Sequence, residues 1–257
     1  RVNYGMNTVG GVRRDIDSYQ VRQVLESLDL LTKRTEYYIQ VATGESTLRG
    51  RLSGVGKLPK ETALRLGAVG PTARASGIPR DIRKDDPYAA YDKVDFKVIT
   101  DERADVFGRT VVRVYELLES YKMIRELIEN IPEGPLTVKA PRKIPAGEAI
   151  SRYEAPRGED IHYVRTNGTE VPERVKVRAP TLANLASIRE MARGGYLADF
   201  PIIIAAIDPC FSCADRMIRI SGDRSGELWN WEQLRNYSIN WYRQRGIDFT
   251  RDYGVSY

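Results

Sequence analysis

A long apolar stripe between residues 103 and 131 constrains the fold more than any other feature of the chain. Apolar side chains recur there at three- and four-residue spacing: Phe107, Val111, Val114, Leu118, Tyr121, Ile124, Ile128 and Ile131. This period predicts one helix from about Arg103 to Ile131, which Pro132 and Gly134 end. A helix with one apolar face has to bury that face against a partner, so the stripe predicts a helix bundle.

Several further segments have helical patterns. Val21, Val24, Leu25, Leu28 and Leu31 predict a helix over Ile16 to Val41, with Asp15 or Asp17 as its cap and Gly44 just beyond its end. Shorter helices are predicted over Lys57 to Leu66, Leu182 to Ala192 and Ala198 to Ile207, and the last of these is apolar enough to be buried. The glycine-punctuated stretch from Gly67 to Gly77 is predicted to be a loop. The charged stretch from Pro79 to Val98 is predicted to be irregular.

The apolar period shortens between residues 136 and 177, where β-strands are predicted. Candidate strands cover Leu136 to Val138, Ile150 to Tyr153, Asp160 to Val164 and Arg174 to Val177. Asn167-Gly168 is a strong turn signal between the last two strands. The predicted fold is therefore mainly α, a helix bundle with a small antiparallel β insertion.

Composition excludes several functional classes. The 257 residues are 42% hydrophobic and 29% charged, with a net charge of +5 spread along the chain. That pattern is typical of a solvated globular surface and not of a nucleic-acid-binding stripe. Two cysteines are too few for a secreted domain that depends on several disulfide bonds. No run of eighteen apolar residues and no signal peptide can be recognised, so no segment is expected to span a membrane.

The two cysteines, Cys210 and Cys213, form a C-x-x-C pair directly after an apolar segment. Sulfurs at this spacing face the same way, which suits a soft metal ion or an iron–sulfur cluster. Pro209 fixes the backbone before the pair, and a helix starting near Cys210 would favour its thiolate. The spacing alone leaves metal binding and a thiol–disulfide role equally open. We expect both sulfurs to point into one buried cavity near Arg157, with the cysteines reduced or bound to a metal.

The stretch Asp208-Pro209-Cys210-x-x-Cys213, followed by Asp215-Arg216-Met217, resembles the C-terminal metal-ligand motif of [NiFe]-hydrogenase large subunits. The most similar group is the membrane-bound, energy-converting one that includes formate hydrogenlyase, homologous to the 49 kDa subunit of respiratory complex I. Further motifs match the family in order: Gly10-Gly11-Val12-Arg13-Arg14-Asp15, Gly70-Pro71-Thr72-Ala73-Arg74-Ala75-Ser76-Gly77, Asp85-Asp86-Pro87-Tyr88, Ile131-Pro132-Glu133-Gly134-Pro135 and Glu154-Ala155-Pro156-Arg157-Gly158-Glu159.

The resemblance implies a hydrogenase-large-subunit fold and a Ni–Fe centre whose iron carries cyanide and carbon monoxide. Cys213 would bridge the two metals, and Cys210 would bind nickel alone or bridge as well. Arg157 would hold its guanidinium over the open side of the metal pair, with Asp208 in the same catalytic set. Pro180 and Thr181 would line the iron's diatomic ligands.

The resemblance also implies an assembly. Residues 1–216 would be the C-terminal part of the catalytic subunit, and residues 217–257 an extension of the kind that a protease removes after Arg216. The other C-x-x-C would come from an N-terminal half or another chain, and [4Fe–4S] clusters from an iron–sulfur small subunit. Membrane antiporter-like subunits and a ferredoxin or formate dehydrogenase module would complete a peripheral complex on the cytoplasmic side of the membrane. Nucleic acid is not expected as a partner.

Other interpretations of the same residues stay open. A nickel-free, complex-I-like subunit could act on a quinone or a sulfur compound, and a non-enzymatic scaffold is the third alternative. Arg74 and Arg157 would, as ordinary loop and hairpin arginines, be solvated, whereas the resemblance places the loop from Gly67 to Gly77, which contains Arg74, close to the buried redox site. Thr181 is a good helix N-cap by residue type. His162, the one histidine, is expected to be a structural partner. No serine or cysteine hydrolase constellation can be assembled with it.

Overall fold

The computed structural model describes residues 5–141, 143–215 and 229–247. These residues fall into two compact units, one ending at Cys213 and one beginning at Ala214. The predicted domain boundary after residue 216 lies outside the described residues, so it stays a prediction. None of the helices in the described ranges is both long enough and apolar enough to cross a lipid bilayer.

Two long helices, α1 (Ser18–Gly44) and α6 (Val106–Glu129), pack against each other in the first unit. Asp17 caps α1 in a capping box with Gln20, so the predicted cap is confirmed. Asp105 caps α6 by accepting from the Gly108 amide at 2.8 Å. The Thr35 and Tyr121 hydroxyls lie 3.3 Å apart across the helix pair.

The apolar stripe of α6 is less buried than its pattern predicts. Ile124 and Ile131 of the predicted stripe are exposed. The buried residues Val106, Val112 and Met123 lie outside the predicted stripe. Helix α6 contacts α1 and several short helices, and among the described residues these contacts leave part of the stripe exposed.

Four short helices follow α1: α2 (Ser46–Leu52), α3 (Lys60–Leu66), α4 (Gly70–Arg74) and α5 (Ile82–Asp85). Helix α4 corrects the prediction of an irregular loop over Gly67 to Gly77, and its residues are all buried. Gly67 ends α3 in the left-handed region, at φ 66°, where glycine carries no Cβ penalty. The main core lies where these helices meet α6 and the C-terminal helices; it contains Leu58, Ala63, Ala73, Val106, Phe107, Met191, Ile203 and Ile207.

The β insertion is a three-stranded antiparallel sheet of β3 (Gly147–Ala155), β4 (Gly158–Thr166) and β5 (Arg174–Arg178), in that order. Asn167 and Gly168 lie in the β4–β5 connection, as predicted. The strand predicted at Leu136 to Val138 is wrong: Thr137 makes only a single bridge to Gly11. Gly11 belongs to an N-terminal hairpin of β1 (Asn7–Thr8) and β2 (Gly11–Val12), which is too short to extend the sheet.

The last helices of the first unit are α7 (Pro180–Ala192), α8 (Phe200–Ala206) and α9 (Phe211–Ala214), whose last residue opens the second unit. In the second unit, α10 (Trp231–Arg243) confirms the helical spacing predicted from Trp231 to Tyr242. Asn230 caps it, again in a capping box. The observed fold is therefore mainly α with a small antiparallel sheet, as predicted.

Candidate functional site at the cysteine pair

The segment that carries the cysteines turns sharply out of α8. Ile207 is fully buried at the end of that helix, and the Asp208 amide donates to the Ala205 carbonyl at 2.9 Å. Asp208 then adopts φ +54°, in the left-handed region that only a few non-glycine residues occupy. Pro209 excludes the right-handed helical conformation for the residue before it, so the helix cannot continue. The turn brings Cys210 back over the start of α7.

Thr181, one of the predicted site residues, holds Cys210 in place. Its Oγ1 accepts a hydrogen bond from the Cys210 amide at 3.1 Å, and its side chain is buried. The interpretation of Thr181 as a helix N-cap is wrong, because Ala179 occupies that position and Pro180 opens α7. The hydroxyl is therefore free to bond across the fold, 29 residues along the chain.

Both cysteines are free thiols and half-buried. Hydrogen bonds from the Ser212 hydroxyl, 3.0 Å from the Cys210 sulfur, and from Cys213 lower the pKa of Cys210 to about 7. Burial and the hydrogen bond with Cys210 raise the pKa of Cys213, with hydrogen bonds to Thr181 opposing them. The pKa values of the two thiols are therefore shifted in opposite directions.

The expected closed cavity around the sulfurs is not formed by the described residues. Cys210 and Cys213 each keep part of their surface open to solvent, and neighbouring Phe211 is almost fully exposed. Helix α9 is a single turn with one open side, so a further protein wall would be needed to enclose the pair.

Arg157 lies beside this segment and is bound to it twice. Its Nε donates to the Asp208 carbonyl at 3.0 Å, and its Nη2 donates to the Asp208 carboxylate at 2.8 Å. Arg113, from α6, lies 3.5 Å from the other Asp208 carboxylate oxygen. Asp208, two residues before Cys210, therefore lies between the guanidiniums of Arg157 and Arg113. Arg157 is half-buried, and the interpretation of it as a free, solvated hairpin arginine does not fit this pairing.

The turn that carries Arg157 is held by a close backbone approach. Pro156 and Arg157 form the two-residue connection between β3 and β4. Gly158, at φ +125°, packs against Gly70 at the start of α4. A Cβ built on Gly70 would lie 2.3 Å from the Arg157 carbonyl oxygen, so only glycine fits there.

A buried ion cluster supports the same hairpin and was missed by sequence reasoning. Arg74, expected to be a solvated loop arginine, is fully buried. Its Nε lies 2.6 Å from Glu116 and its Nη1 lies 2.8 Å from Glu154, at the end of β3. Asp81 lies 3.5 Å from the same guanidinium and pairs with Arg83 at 2.6 Å. The pattern of glycine and charge in the loop does not reveal burial; the resemblance placed the loop that contains Arg74 near a buried site, without indicating its carboxylate partners.

His162 lies on β4 beside Asp160, with Nε2 3.6 Å from the carboxylate. That distance exceeds a hydrogen bond. The other Asp160 oxygen accepts from the Tyr153 hydroxyl at 2.7 Å. His162 also packs against the Tyr153 ring, with centroids 5.6 Å apart. These contacts agree with the structural role predicted for His162.

The described residues supply only part of a metal-ligand set. They contain no group of three or more His, Cys, Asp or Glu side chains arranged to hold an ion. They do offer two neighbouring thiols, and the pKa of one of them, Cys210, is lowered to about 7. Such a donor set suits a soft transition metal whose other ligands come from elsewhere.

Comparison with known proteins shows the family to which this chain belongs. The chain belongs to the family of the 49 kDa subunit of the respiratory-chain NADH dehydrogenase, whose profile matches residues 1–144 and 137–216.

Among curated relatives, the chain is 40% identical over 218 residues to the carbon monoxide-induced hydrogenase of Rhodospirillum rubrum, covering 84% of this chain and 60% of that protein. It is also 40% identical over 233 residues to the membrane-bound hydrogenase subunit alpha of Pyrococcus furiosus, with 84% and 55% covered. The chain thus spans little more than half the length of these relatives.

A solved structure of the membrane-bound sulfane sulfur reductase, an archaeal respiratory membrane complex, contains a chain with the same fold. It matches with a TM-score of 0.76 and 34% identity, over 80% of this chain and 58% of that one. Relatives named as hydrogenases and a structure of a sulfane sulfur reductase complex therefore both resemble this chain.

Proposed function

We propose that this chain is the C-terminal part of the catalytic large subunit of a membrane-bound [NiFe]-hydrogenase complex, which forms or oxidises H₂. The observation that carries the proposal is the cysteine pair, held by Thr181 and flanked by the Arg157–Asp208 pair. The hydrogenase names of two relatives, each 40% identical, support the same assignment. A hydrogenase-large-subunit fold is part of this proposal.

Cys210 and Cys213 would hold a Ni–Fe centre with cyanide and carbon monoxide on its iron. When bound, that centre supplies the reversible splitting of H₂, since soft thiolates stabilise low-valent nickel. Two further thiolates would come from the region of the relatives that this chain does not span. Such a region would also provide the wall that the half-buried sulfurs need.

The chain's own side chains would position and exchange protons around this centre. Arg157 presents a permanently charged fork of donors, and its two bonds to Asp208 fix the direction of that fork. One of the Cys210 and Cys213 thiolates would accept a proton during the splitting of H₂. Thr181 keeps the thiol segment fixed through the Cys210 amide. Pro180 and Thr181 together would line the iron's diatomic ligands.

The proposal requires partners. Electrons would pass through [4Fe–4S] clusters of an iron–sulfur small subunit, because two cysteines cannot hold such a cluster alone. Antiporter-like subunits would anchor the complex in the membrane, with this chain peripheral on the cytoplasmic side. A ferredoxin or a formate dehydrogenase module would exchange electrons with the complex.

A second function is favoured by a specific observation. The membrane-bound sulfane sulfur reductase has a chain of this fold at 34% identity, and the matching family is that of an NADH dehydrogenase subunit. On this alternative the chain is a nickel-free oxidoreductase subunit that acts on a sulfur compound or a quinone. The two thiols would then act as a redox pair.

Metal content and electron-acceptor assays of the intact complex separate the two functions. The hydrogenase proposal expects about one nickel per chain and H₂ evolution from a reduced viologen. Both should be lost in Cys210→Ser and Cys213→Ser and kept in Ser53→Ala, a distant control. A nickel-free complex that reduces a sulfur compound or a quinone would refute the hydrogenase proposal and establish the alternative.

A further inference from the structure

Arg113, on α6, contacts each of the two segments that build the cysteine site. Its Nη1 donates to the Pro156 carbonyl at 3.5 Å, directly before Arg157 in the hairpin turn. Its Nη2 donates to the Ala206 carbonyl at 3.5 Å, at the end of α8. The same Nη1 also lies 3.5 Å from the Asp208 carboxylate. One guanidinium on a long helix therefore meets both segments beside the Arg157–Asp208 pair.

The turn at Asp208 needs contacts of this kind to keep its shape. Asp208 adopts φ +54°, and a residue with a Cβ keeps such a conformation only where surrounding contacts fix it. Arg113 contacts the carbonyl two residues before Asp208 and the Asp208 carboxylate itself. It thereby fixes the end of α8 and the Asp208 side chain relative to α6.

The environment of Arg113 is unfavourable for the stability of the fold. Its side chain is 25% exposed, and its Nε is buried with no hydrogen-bond partner in the part of the chain that the structure describes. Burial lowers the pKa of Arg113, so the charged form is less favourable there than in water. An unpaired N–H and a desolvated charge both cost free energy. The three acceptors, each at 3.5 Å, are too distant to offset much of that cost.

The two arginines at Asp208 use different atoms. Arg157 donates through Nε and Nη2 as a fork, at 3.0 and 2.8 Å. Arg113 uses its two Nη atoms towards three acceptors on three different residues. A fork is specific to a guanidinium, whereas separate acceptors around one cation also suit the three N–H groups of an ammonium. The position of Arg113 therefore requires a cation and does not require a fork.

We propose that Arg113 is a positioning residue for the cysteine site: its charge holds Asp208, and through Asp208 the fork of Arg157, in place beside Cys210. Neither thiol is among the contacts described for Arg113, so it acts through the other two charged residues. This inference deepens the proposed function and rests on it, because Arg157 has to act at the site for its position to matter.

The test compares Arg113→Met, Arg113→Lys and Arg125→Met in the intact complex. We expect turnover of Arg113→Met to fall about 30-fold at unchanged KM, since misplacing a catalytic group slows the reaction rather than binding. Arg113→Lys should keep at least about half of the wild-type rate, because an ammonium retains the charge. Arg125 lies on the same helix and pairs with Asp29 at 2.5 Å, away from the site. Its replacement should leave turnover unchanged.

Thermal unfolding separates positioning from a structural role. Arg113→Met removes a desolvated charge and an unpaired N–H, and Asp208 keeps Arg157 as its ion-pair partner. The unfolding midpoint of this variant should therefore equal or exceed that of the wild type while its turnover falls. A residue with a merely structural role would lower both.

Three results would overturn the proposal. Wild-type turnover in Arg113→Met would show that Arg157 needs no second support. A lowered unfolding midpoint or failed assembly of Arg113→Met would give the residue a structural role. A loss in Arg113→Lys as large as that in Arg113→Met would contradict the requirement for a cation.

Amide hydrogen exchange distinguishes failure of this inference from failure of the proposed function. In Arg113→Met, exchange should rise about tenfold at the Asp208 amide and in the 156–158 turn, whichever reaction the site catalyses. Unchanged exchange there, beside normal H₂ evolution by the wild type, refutes the positioning role alone. If the wild type contains no nickel and evolves no H₂, the hydrogenase proposal falls. Exchange and the sulfur or quinone reaction then test the role of Arg113.

Discussion

Arg157 shows why the identity of a charged residue matters at this site. Its guanidinium donates to the backbone carbonyl and to the carboxylate of Asp208 at the same time, at 3.0 and 2.8 Å. Two donors in a fixed plane set both the position and the direction of the charge. An ammonium group has the charge and lacks the fork.

Replacement of Arg157 by Lys is therefore expected to lower turnover by about 100-fold or more while leaving the fold intact. The side chain is half-buried and belongs to no core cluster, so the unfolding midpoint should stay close to that of the wild type. Turnover and thermal unfolding of the same preparation check this. Unchanged turnover would show that the residue only closes the hairpin.

The two thiols are predicted to differ in their reactivity towards iodoacetamide, because only the thiolate reacts. The pKa of Cys210 is lowered to about 7, so its alkylation in metal-free protein should reach half its maximal rate near pH 7. Cys213, with a raised pKa, should react only in more alkaline solution. Mass spectrometry of the labelled peptides measures both profiles.

Ser212→Ala supplies the control for the thiol prediction. Loss of the hydroxyl 3.0 Å from the Cys210 sulfur removes the main cause of the lowered pKa. The Cys210 profile should then move to higher pH. An unshifted profile would contradict the assigned cause.

At the scale of elements, the β3–β4 hairpin and α4 act as one support for Arg157. Gly70 and Gly158 bring their backbones together, and the Arg74–Glu154 pair joins the same two elements in the buried interior. A buried pair of this kind adds little net stability, and its loss leaves an uncompensated charge. Its contribution is therefore to fix where the hairpin turn sits.

Gly70→Ala should destabilise the protein by roughly 4 kcal/mol or more, since the new Cβ would overlap the Arg157 carbonyl oxygen. Gly67→Ala is a matched control, because Gly67 has a nearly equal φ of 66° against 63° and nothing within 4 Å of its Cβ position. The Gly67→Ala control should lower the free energy of unfolding by only about 1–2 kcal/mol, because of backbone strain. Chemical denaturation of both variants measures the difference, and equal losses would argue against the close approach.

At the scale of the whole molecule, the tail beyond the cysteine motif is the proposed extension, residues 217–257. The proposed cleavage between Arg216 and Met217 falls outside the described residues. Within residues 229–247, α10 is a capped amphipathic helix, and Arg245 stacks over the Trp241 ring at 3.4 Å. Such contacts stabilise the helix locally.

Cleavage and nickel content are predicted to go together. If the chain is processed as the resembled hydrogenases are, active material should end at Arg216, and material that retains Tyr257 should be nickel-poor. Intact-mass measurement beside nickel quantification tests this. Full nickel occupancy in a chain ending at Tyr257 would refute cleavage while leaving the hydrogenase proposal standing. A retained tail with no nickel would favour the sulfur or quinone alternative.

The sequence by itself determined the elements whose signals are local. The long helices α1 and α6, the cap at Asp17, the hairpin turn at Arg157 and the helix in the tail all follow from apolar period, capping residues and turn residues. The motif around Cys210 and Cys213 likewise predicted the family, because the order of residues along the chain is itself the signal.

Only the tertiary structure decided what these elements do to one another. Burial made Arg74 the centre of an ion cluster and enclosed Arg109, which donates to the Gly56 carbonyl and whose pKa burial lowers to about 10. The Thr181 hydroxyl accepts a hydrogen bond from the Cys210 amide, 29 residues further along the chain. Desolvation and pairing depend on the distances between remote segments, and no local pattern of residue types encodes those distances.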